Sequence, residues 1–181
     1  MGLLTGGLLV VALIFVIGIF NSMIGRKNQV SLAFASIDAM LKKRYDLVPN
    51  LVNTCEKYMS YEKNLLAELT ETRTKALRAT EDDRITLDNQ LSSQLKTVFA
   101  VAENYPNLKT VETFTFLQRS LNEIEEQLAA SRRAFNAAVT NYNNGCKMFP
   151  TNIAARMLGY QLKPWFEATD MERFPVKVWG N

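Results

Sequence analysis

Met1 to Gly25 contains no Asp, Glu, Lys or Arg, and all 21 basic and 18 acidic residues of the chain lie after it. No other feature restricts the fold as strongly. Within that prefix, Leu3 to Ile24 is apolar apart from Thr5, Asn21 and Ser22. As a helix this run spans roughly 33 Å, about one bilayer hydrocarbon core. A cleaved signal peptide would need a basic n-region, a shorter apolar run and a small-residue cleavage site, and none of these is present. The prefix is therefore expected to be a transmembrane signal-anchor. The whole-chain values, 48% hydrophobic and 22% charged, describe an ordinary globular protein only because they average over two different materials.

The flanks set an expected orientation. Nothing basic precedes the run except the terminal amine, whereas Arg26 and Lys27 follow it directly, and Lys42, Lys43 and Arg44 come soon after. Lys and Arg beside a span stay in the cytoplasm. The expected arrangement is a single pass through the cell (inner) membrane, with the N-terminus outside and the body in the cytoplasm. Cys55 and Cys146 match no metal or redox spacing and read as reduced packing residues. Gly2 and Gly6, and again Gly18 and Ser22, have the small-xxx-small spacing that permits close helix contact in lipid.

The body reads as long helices. Its five prolines stand at 49, 106, 150, 164 and 175, and the stretches between them have helical periodicity. From Phe34 a 3-4 stepping through Ile37, Leu41, Arg44, Val48, Leu51, Cys55, Tyr58, Glu62, Leu65, Leu69, Thr72 and Ala76 predicts one amphipathic helix to about Thr80. A kink is expected at Pro49, because an interior proline removes a hydrogen bond and crowds the preceding turn. Glu81 to Asp83 is expected to be a turn. A second helix should run from Arg84 or Ile85 to Tyr105, on the stripe Leu87, Leu91, Leu95, Val98 and Ala102. A third, from about Thr110 to Asn144, carries the cleanest seam: Phe114, Leu117, Leu121, Ile124, Leu128, Ser131, Phe135, Ala138 and Tyr142. Asn144 and Gly145 can cap it, and Asn152 can cap a short fourth helix over 153–158. The tail from Lys163 to Asn181, with Trp165, Phe166, Phe174 and Trp179, reads as a strap along the bundle. The fold class is thus all-α: a transmembrane anchor over 1–25, a long-helix antiparallel bundle over 26–162 and an extended strap over 163–181.

Several chemistries are excluded. There is no histidine, so the usual neutral-pH base and the commonest metal ligand are missing. A Glu-x-x-His di-iron site cannot be built. No phosphate-binding glycine motif and no nucleophile elbow occurs. No cofactor and no catalytic residue is expected. Nucleic acid is a poor partner too, since residues 26–80 carry 10 basic against 6 acidic side chains and the remainder has a slight acidic excess. That basic excess suits anionic headgroups.

Polar residues on apolar faces remain to be accommodated. Arg44 and Glu62 interrupt the first stripe, and Ser131, with Arg132 beside it, interrupts the third. Helix drift could turn them to solvent, or they could form a buried network, in which a charge is tolerated only if paired. Arg44, Asp46, Glu62, Arg73 and Arg132 are the candidates for a structural polar network; the spacing leaves both readings open.

Leu41 to Val52 reads LKKRYDLVPNLV, which closely resembles the LKRRYDLIPNLV hallmark of the LemA family. Asn28, Val30 and the Ile37-Asp38 pair precede it as in that family. Lys57-Tyr58, Glu62 and Thr72-Arg73 follow, and Ala102 to Leu108 is similar to its AEAYPDLK segment. Glu125, Arg132-Arg133, Asn136, Val139 and Tyr142-Asn143 fit its third-helix pattern. Phe149-Pro150 and Asn152 fit FPGN, and Pro164, Phe166, Glu167, Pro175 and Val178 fit its C-terminal part. Tyr61, Gln127 and Phe135 depart from the frequent His, Arg and Tyr; the missing Arg alters any family charge network here, and the missing His argues against an essential catalytic role for it. The resemblance implies one N-terminal membrane helix, a cytoplasmic bundle of long antiparallel helices and no established enzymatic activity, and it points toward membrane organisation. The function expected is a non-enzymatic, membrane-anchored scaffold whose partners are the lipid bilayer and further copies of itself. The alternative is a signalling or protease-accessory adaptor that binds another membrane protein, with Arg44, Asp46 and Pro49 as a hinge.

Overall fold

The computed structural model describes residues 2–166, apart from the side chains of residues 2–4, 81, 82 and 85. Six helices and no strand occur among them: α1 (Gly2–Glu56), α2 (Lys63–Arg78), α3 (Glu81–Ala102), α4 (Pro106–Lys109), α5 (Glu112–Lys147) and α6 (Thr151–Met157). The fold is all-α, as the periodicity requires. Two compact units are formed, one from the described parts of 1–37 and 130–168 and the other from 38–129.

The first long helix does not reach Thr80. It ends at Glu56, where the Tyr58 and Met59 N–H groups both bond the Cys55 carbonyl, at 2.9 and 2.8 Å. Met59 is fully buried in the turn that follows and Tyr61 is 91% exposed. The chain then re-enters helix as α2, which packs against α3. No proline or glycine marks this reversal, and the apolar stepping runs straight through it. Burial of Met59, a tertiary term, overrides the local pattern. At Pro49, the site of the expected kink, α1 continues as helix.

The acidic stretch after Thr80 is the first turn of α3, not a loop. The Thr80 hydroxyl donates to Asp83 Oδ2 at 2.9 Å and accepts from the Asp83 N–H at 3.4 Å. This is a capping arrangement, and the carboxylate also suits the helix dipole. The buried face of α3 is Asp88, Leu91, Leu95, Val98 and Ala102, while Leu87 is only half-buried. On α5 the seam residues Phe114, Leu117, Leu121, Ile124 and Leu128 are buried, and Phe114 meets Phe99 of α3 edge-on with centroids 6.2 Å apart.

In the first unit, α1 and α5 run antiparallel in a register that three contacts define. The Phe34 and Phe135 rings meet at 6.0 Å. Arg26 bonds both the side chain and the main chain of Asn141, the carbonyl at 2.8 Å. Gly145 lies against Met23 and Arg26; a Cβ there would stand 2.9 Å from Met23 Sδ and from Arg26 Cδ. Gly145 is therefore inside α5, where closeness to α1 requires it, and not the cap expected from its sequence position. Met23, Val30, Val139, Tyr142, Ala154 and Ala155 form the core of this unit, with Ile19, Phe20, Cys146, Leu158 and Tyr160 packed around them.

Asn152 does not cap α6. The Thr151 hydroxyl instead donates to Gly145 O at 2.7 Å and Met148 O at 3.0 Å, satisfying carbonyls at the end of α5. Past α6 the chain runs extended along α5. Asn143 accepts from the Lys163 N–H and donates to its carbonyl, both at 2.9 Å, and Asn136 does the same for Phe166 at 2.8 and 3.0 Å. Between them the Trp165 indole N–H reaches Thr140 Oγ1 at 2.9 Å. Phe174, Pro175 and Trp179, expected in the strap, lie outside the described residues.

Candidate functional site

The most concentrated chemistry is a buried ionic cluster in the second unit. Arg44 projects from α1 with its side chain 3% exposed. Its guanidinium bonds Asp88 of α3 at 3.0 Å and Glu125 of α5 at 2.9 Å. Asp88 is 1% exposed and Glu125 37%, so the cluster reaches solvent only at Glu125, where the Ser92 hydroxyl also approaches. One cation against two carboxylates ties three helices together. Desolvating these groups costs several kcal/mol per ion, which makes the pairing obligatory once Arg44 is buried.

Arg73 stands on α2, half-buried, and its Nε donates to Tyr45 O at 2.7 Å. In an α-helix that carbonyl would accept from the N–H of residue 49, but Pro49 has none. Arg73 thus supplies the donor that the proline removes. Next to Arg44, the Tyr45 hydroxyl is pushed well above its ordinary range by burial and then by the Asp88 charge. Arg84 bonds Asp38 across α3 and α1. Asp46 is exposed and lines a shallow cleft with Asp38, Lys42 and Arg84.

The remaining candidates lie elsewhere. Glu62 sits in the N-cap position of α2 and takes a hydrogen bond from Tyr105, whose hydroxyl is raised by desolvation and then by that carboxylate. Arg132, in the first unit, lies over the Phe166 ring at 5.8 Å. The structure thus brings Arg44 to Asp88 and Glu125, not to Glu62. Gly6 and Gly18 have nothing within contact distance of an added Cβ, and Ser22 is exposed, so the small faces of the anchor are open; the surroundings of Gly2 are outside the described side chains. Of the ionic cluster, Asp88 escaped the sequence reading, and Glu125 entered it only through the family resemblance, not as a network candidate. The 3-4 stepping back from Leu91 lands on Leu87 by four and on Asp88 by three, and hydrophobicity favoured the wrong one.

This arrangement holds charge in place and has no activated nucleophile. Burial pushes the Cys55 thiol from its ordinary 9.0 up to about 11, away from the thiolate. Among the described residues no group of three or more His, Cys, Asp or Glu side chains could hold a metal ion.

A family model described as LemA family matches residues 33–179, which contain the whole ionic cluster and most of the body. The chain belongs to the LemA family. Among curated proteins it is similar to Protein LemA of Metamycoplasma hominis, 25% identical over 90% of this chain and 79% of that protein. It is also similar to Magnetosome protein MamQ 2 of Paramagnetospirillum magneticum, 21% identical over 87% of this chain and 68% of the relative. Magnetosome protein MamQ of Magnetospirillum gryphiswaldense is 18% identical over the same shares. The family match begins at residue 33, past the apolar run, so the anchor is supported by its own composition. One helix of the structure, α1, is long and apolar enough there to cross a membrane. With these relatives, it marks the chain as a membrane-associated member of the family.

Proposed function

We propose that this protein is a non-enzymatic, membrane-anchored helical scaffold that assembles with further copies of itself and organises the bilayer around it. The observation that carries the reading is the exposure of α1. Leu8, Leu9, Val10, Val11, Leu13 and Ile14 are each more than half exposed, on all sides of the helix. A helix apolar all round needs lipid or protein as its solvent. The rigid ionic cluster and the open Gly6 and Gly18 faces support a structural role, the first by fixing helix register and the second by allowing close helix approach in lipid. The orientation that fits Arg26 and Lys27 puts the body in the cytoplasm. Native mass spectrometry and electron microscopy of the detergent-extracted full-length protein test the reading: discrete multimers support it, and a strictly monomeric particle at high concentration overturns it. Proximity labelling in the native membrane separates it from an adaptor role, which predicts one dominant heterologous partner.

A further inference from the structure

The first unit ends in an apolar surface that nothing among the described residues covers. Phe149 is 79% exposed, Met157 72%, Met148 61% and Ile153 52%. These side chains cluster around the α5–α6 junction, and Ile153 and Met157 are one turn apart on α6, opposite the buried Ala154 and Ala155. Four large apolar side chains on one small junction are more than scattered surface hydrophobics explain.

Their place along α1 identifies the occupant. The register of α1 against α5 pairs Phe34 with Phe135, Arg26 with Asn141, and Met23 with Gly145. Continued by one turn, it brings Met148 and Phe149 level with Phe20 and Ile19. That level is inside the uncharged run that ends at Gly25. Ile19 and Phe20 are themselves half-buried against the core of this unit, as Cys146 and Leu158 are. The unit therefore reaches past the end of the anchor to the depth where lipid begins.

The charge of the unit fits one kind of bilayer. By sequence, residues 1–37 and 130–168 carry seven basic residues against one acidic residue, Glu167. Lys147 and Arg156 flank the apolar surface directly. One turn deeper into the unit, Lys27 lies over the Tyr160 ring, 4.6 Å from its centroid, the pairing of aromatic ring and cation found at membrane interfaces. Basic side chains near an anionic leaflet are each attracted to it.

We infer that the α5–α6 junction is a second membrane-contacting element: Met148, Phe149, Ile153 and Met157 insert among the acyl chains beside the anchor while Lys147 and Arg156 take anionic headgroups. The inference rests on the reading that Leu3 to Ile24 crosses the bilayer. The junction would then displace lipid on one side of the anchor and in one leaflet only.

Fluorescence depth measurements on the full-length chain test it. Trp165 and Trp179 are replaced by Phe, and single reporters are introduced as F149W, M157W, L9W within the anchor and L32W on the exposed face of α1. Each is reconstituted in vesicles of phosphatidylglycerol and phosphatidylcholine, the latter brominated near the carbonyl end of its acyl chains. F149W and M157W are expected to be quenched by bromine well above L32W, to resist aqueous acrylamide, and to be quenched less without phosphatidylglycerol. L32W should show the opposite pattern. Two reporter positions keep the result readable if one substitution disturbs folding. Quenching of L9W with acrylamide-sensitive, bromine-blind F149W and M157W overturns the inference and leaves the anchor standing. Absence of bromine quenching at L9W overturns both. Shielding from both quenchers that grows with protein-to-lipid ratio assigns the surface to a second copy and also overturns it, and equal quenching with and without phosphatidylglycerol overturns the headgroup part.

Discussion

Arg73 donates its Nε proton to the main-chain carbonyl of Tyr45, which Pro49 leaves without its helical partner. The pair explains how a proline can sit inside a long helix next to a buried arginine. An interior proline costs about 3 kcal/mol or more, partly through the lost bond, and an unsatisfied buried carbonyl adds to that. A side chain from a neighbouring helix makes up part of the loss and joins α2 to α1 at the same point.

Substitution of Arg73 should therefore cost more than an average half-buried residue. R73L is expected to destabilise the protein by about 1–3 kcal/mol, the usual cost of orphaning one buried acceptor. The P49A background should shrink that cost, because residue 49 then supplies its own N–H. Thermal unfolding of the detergent-solubilised full-length protein, run as a double-mutant cycle, reads the coupling. Equal penalties in both backgrounds would sink the account.

The Arg44 cluster predicts an order of effects. R44M leaves Asp88 buried without its cation and should cost about 3–5 kcal/mol. D88N leaves Arg44 with Glu125 and should cost less. E125Q should cost least, because Glu125 is partly exposed and water can replace much of its pairing. Chemical denaturation of the three variants checks the ranking, which fails if E125Q is the most damaging.

Much of this fold is legible in the sequence, and the misses share a cause. The seam of α5 from Phe114 to Leu128 follows its 3-4 spacing directly. The anchor follows from the absence of charge. The break after Glu56 was not legible, since apolar spacing continues through it and only the buried position of Met59 reveals it. Asp88 was hidden by its neighbour Leu87, which the 3-4 stepping reaches as readily. The charge pattern misled for a different reason. Linear counting places the basic excess in residues 26–80, but the unit that joins 1–37 to 130–168 holds seven basic residues against one acidic by sequence. Periodicity reports what one helix buries, and it is silent on which distant segment arrives beside it.

Alkaline stability should report Cys55. Burial raises its thiol from 9.0 to about 11 in the folded chain. The neutral thiol is thus favoured by folding, so its contribution is fully present below pH 9 and is lost as pH rises through 11. Two units correspond to about 2–3 kcal/mol. Tyr142, raised by burial and by its Cys146 neighbour to about 12, acts in the same direction at higher pH. C55V should flatten the decline in stability between pH 9 and 11; an unchanged slope in that window would assign the decline to other groups.

The strap offers a test that separates donor from acceptor. Asn143 both accepts from the Lys163 N–H and donates to the Lys163 carbonyl, and Asn136 repeats the pattern at Phe166. A side-chain amide carries the donor and the acceptor on two separate atoms, which this pairing uses. N143L removes both bonds and should free the chain around Lys163, so that chymotrypsin cleavage after the exposed Trp165 accelerates while α5 stays intact. N143D keeps the acceptor and replaces the donor by a carboxylate facing a carbonyl oxygen. It should accelerate cleavage at least as much as N143L, because the repulsion adds to the lost bond. Gln at the same position keeps both groups but adds a methylene, and should fall between wild type and the other two. If N143D were cleaved at the wild-type rate, the donor half of the contact would carry no weight, and the extended segment would be held by Phe166 burial and the Trp165–Thr140 bond instead.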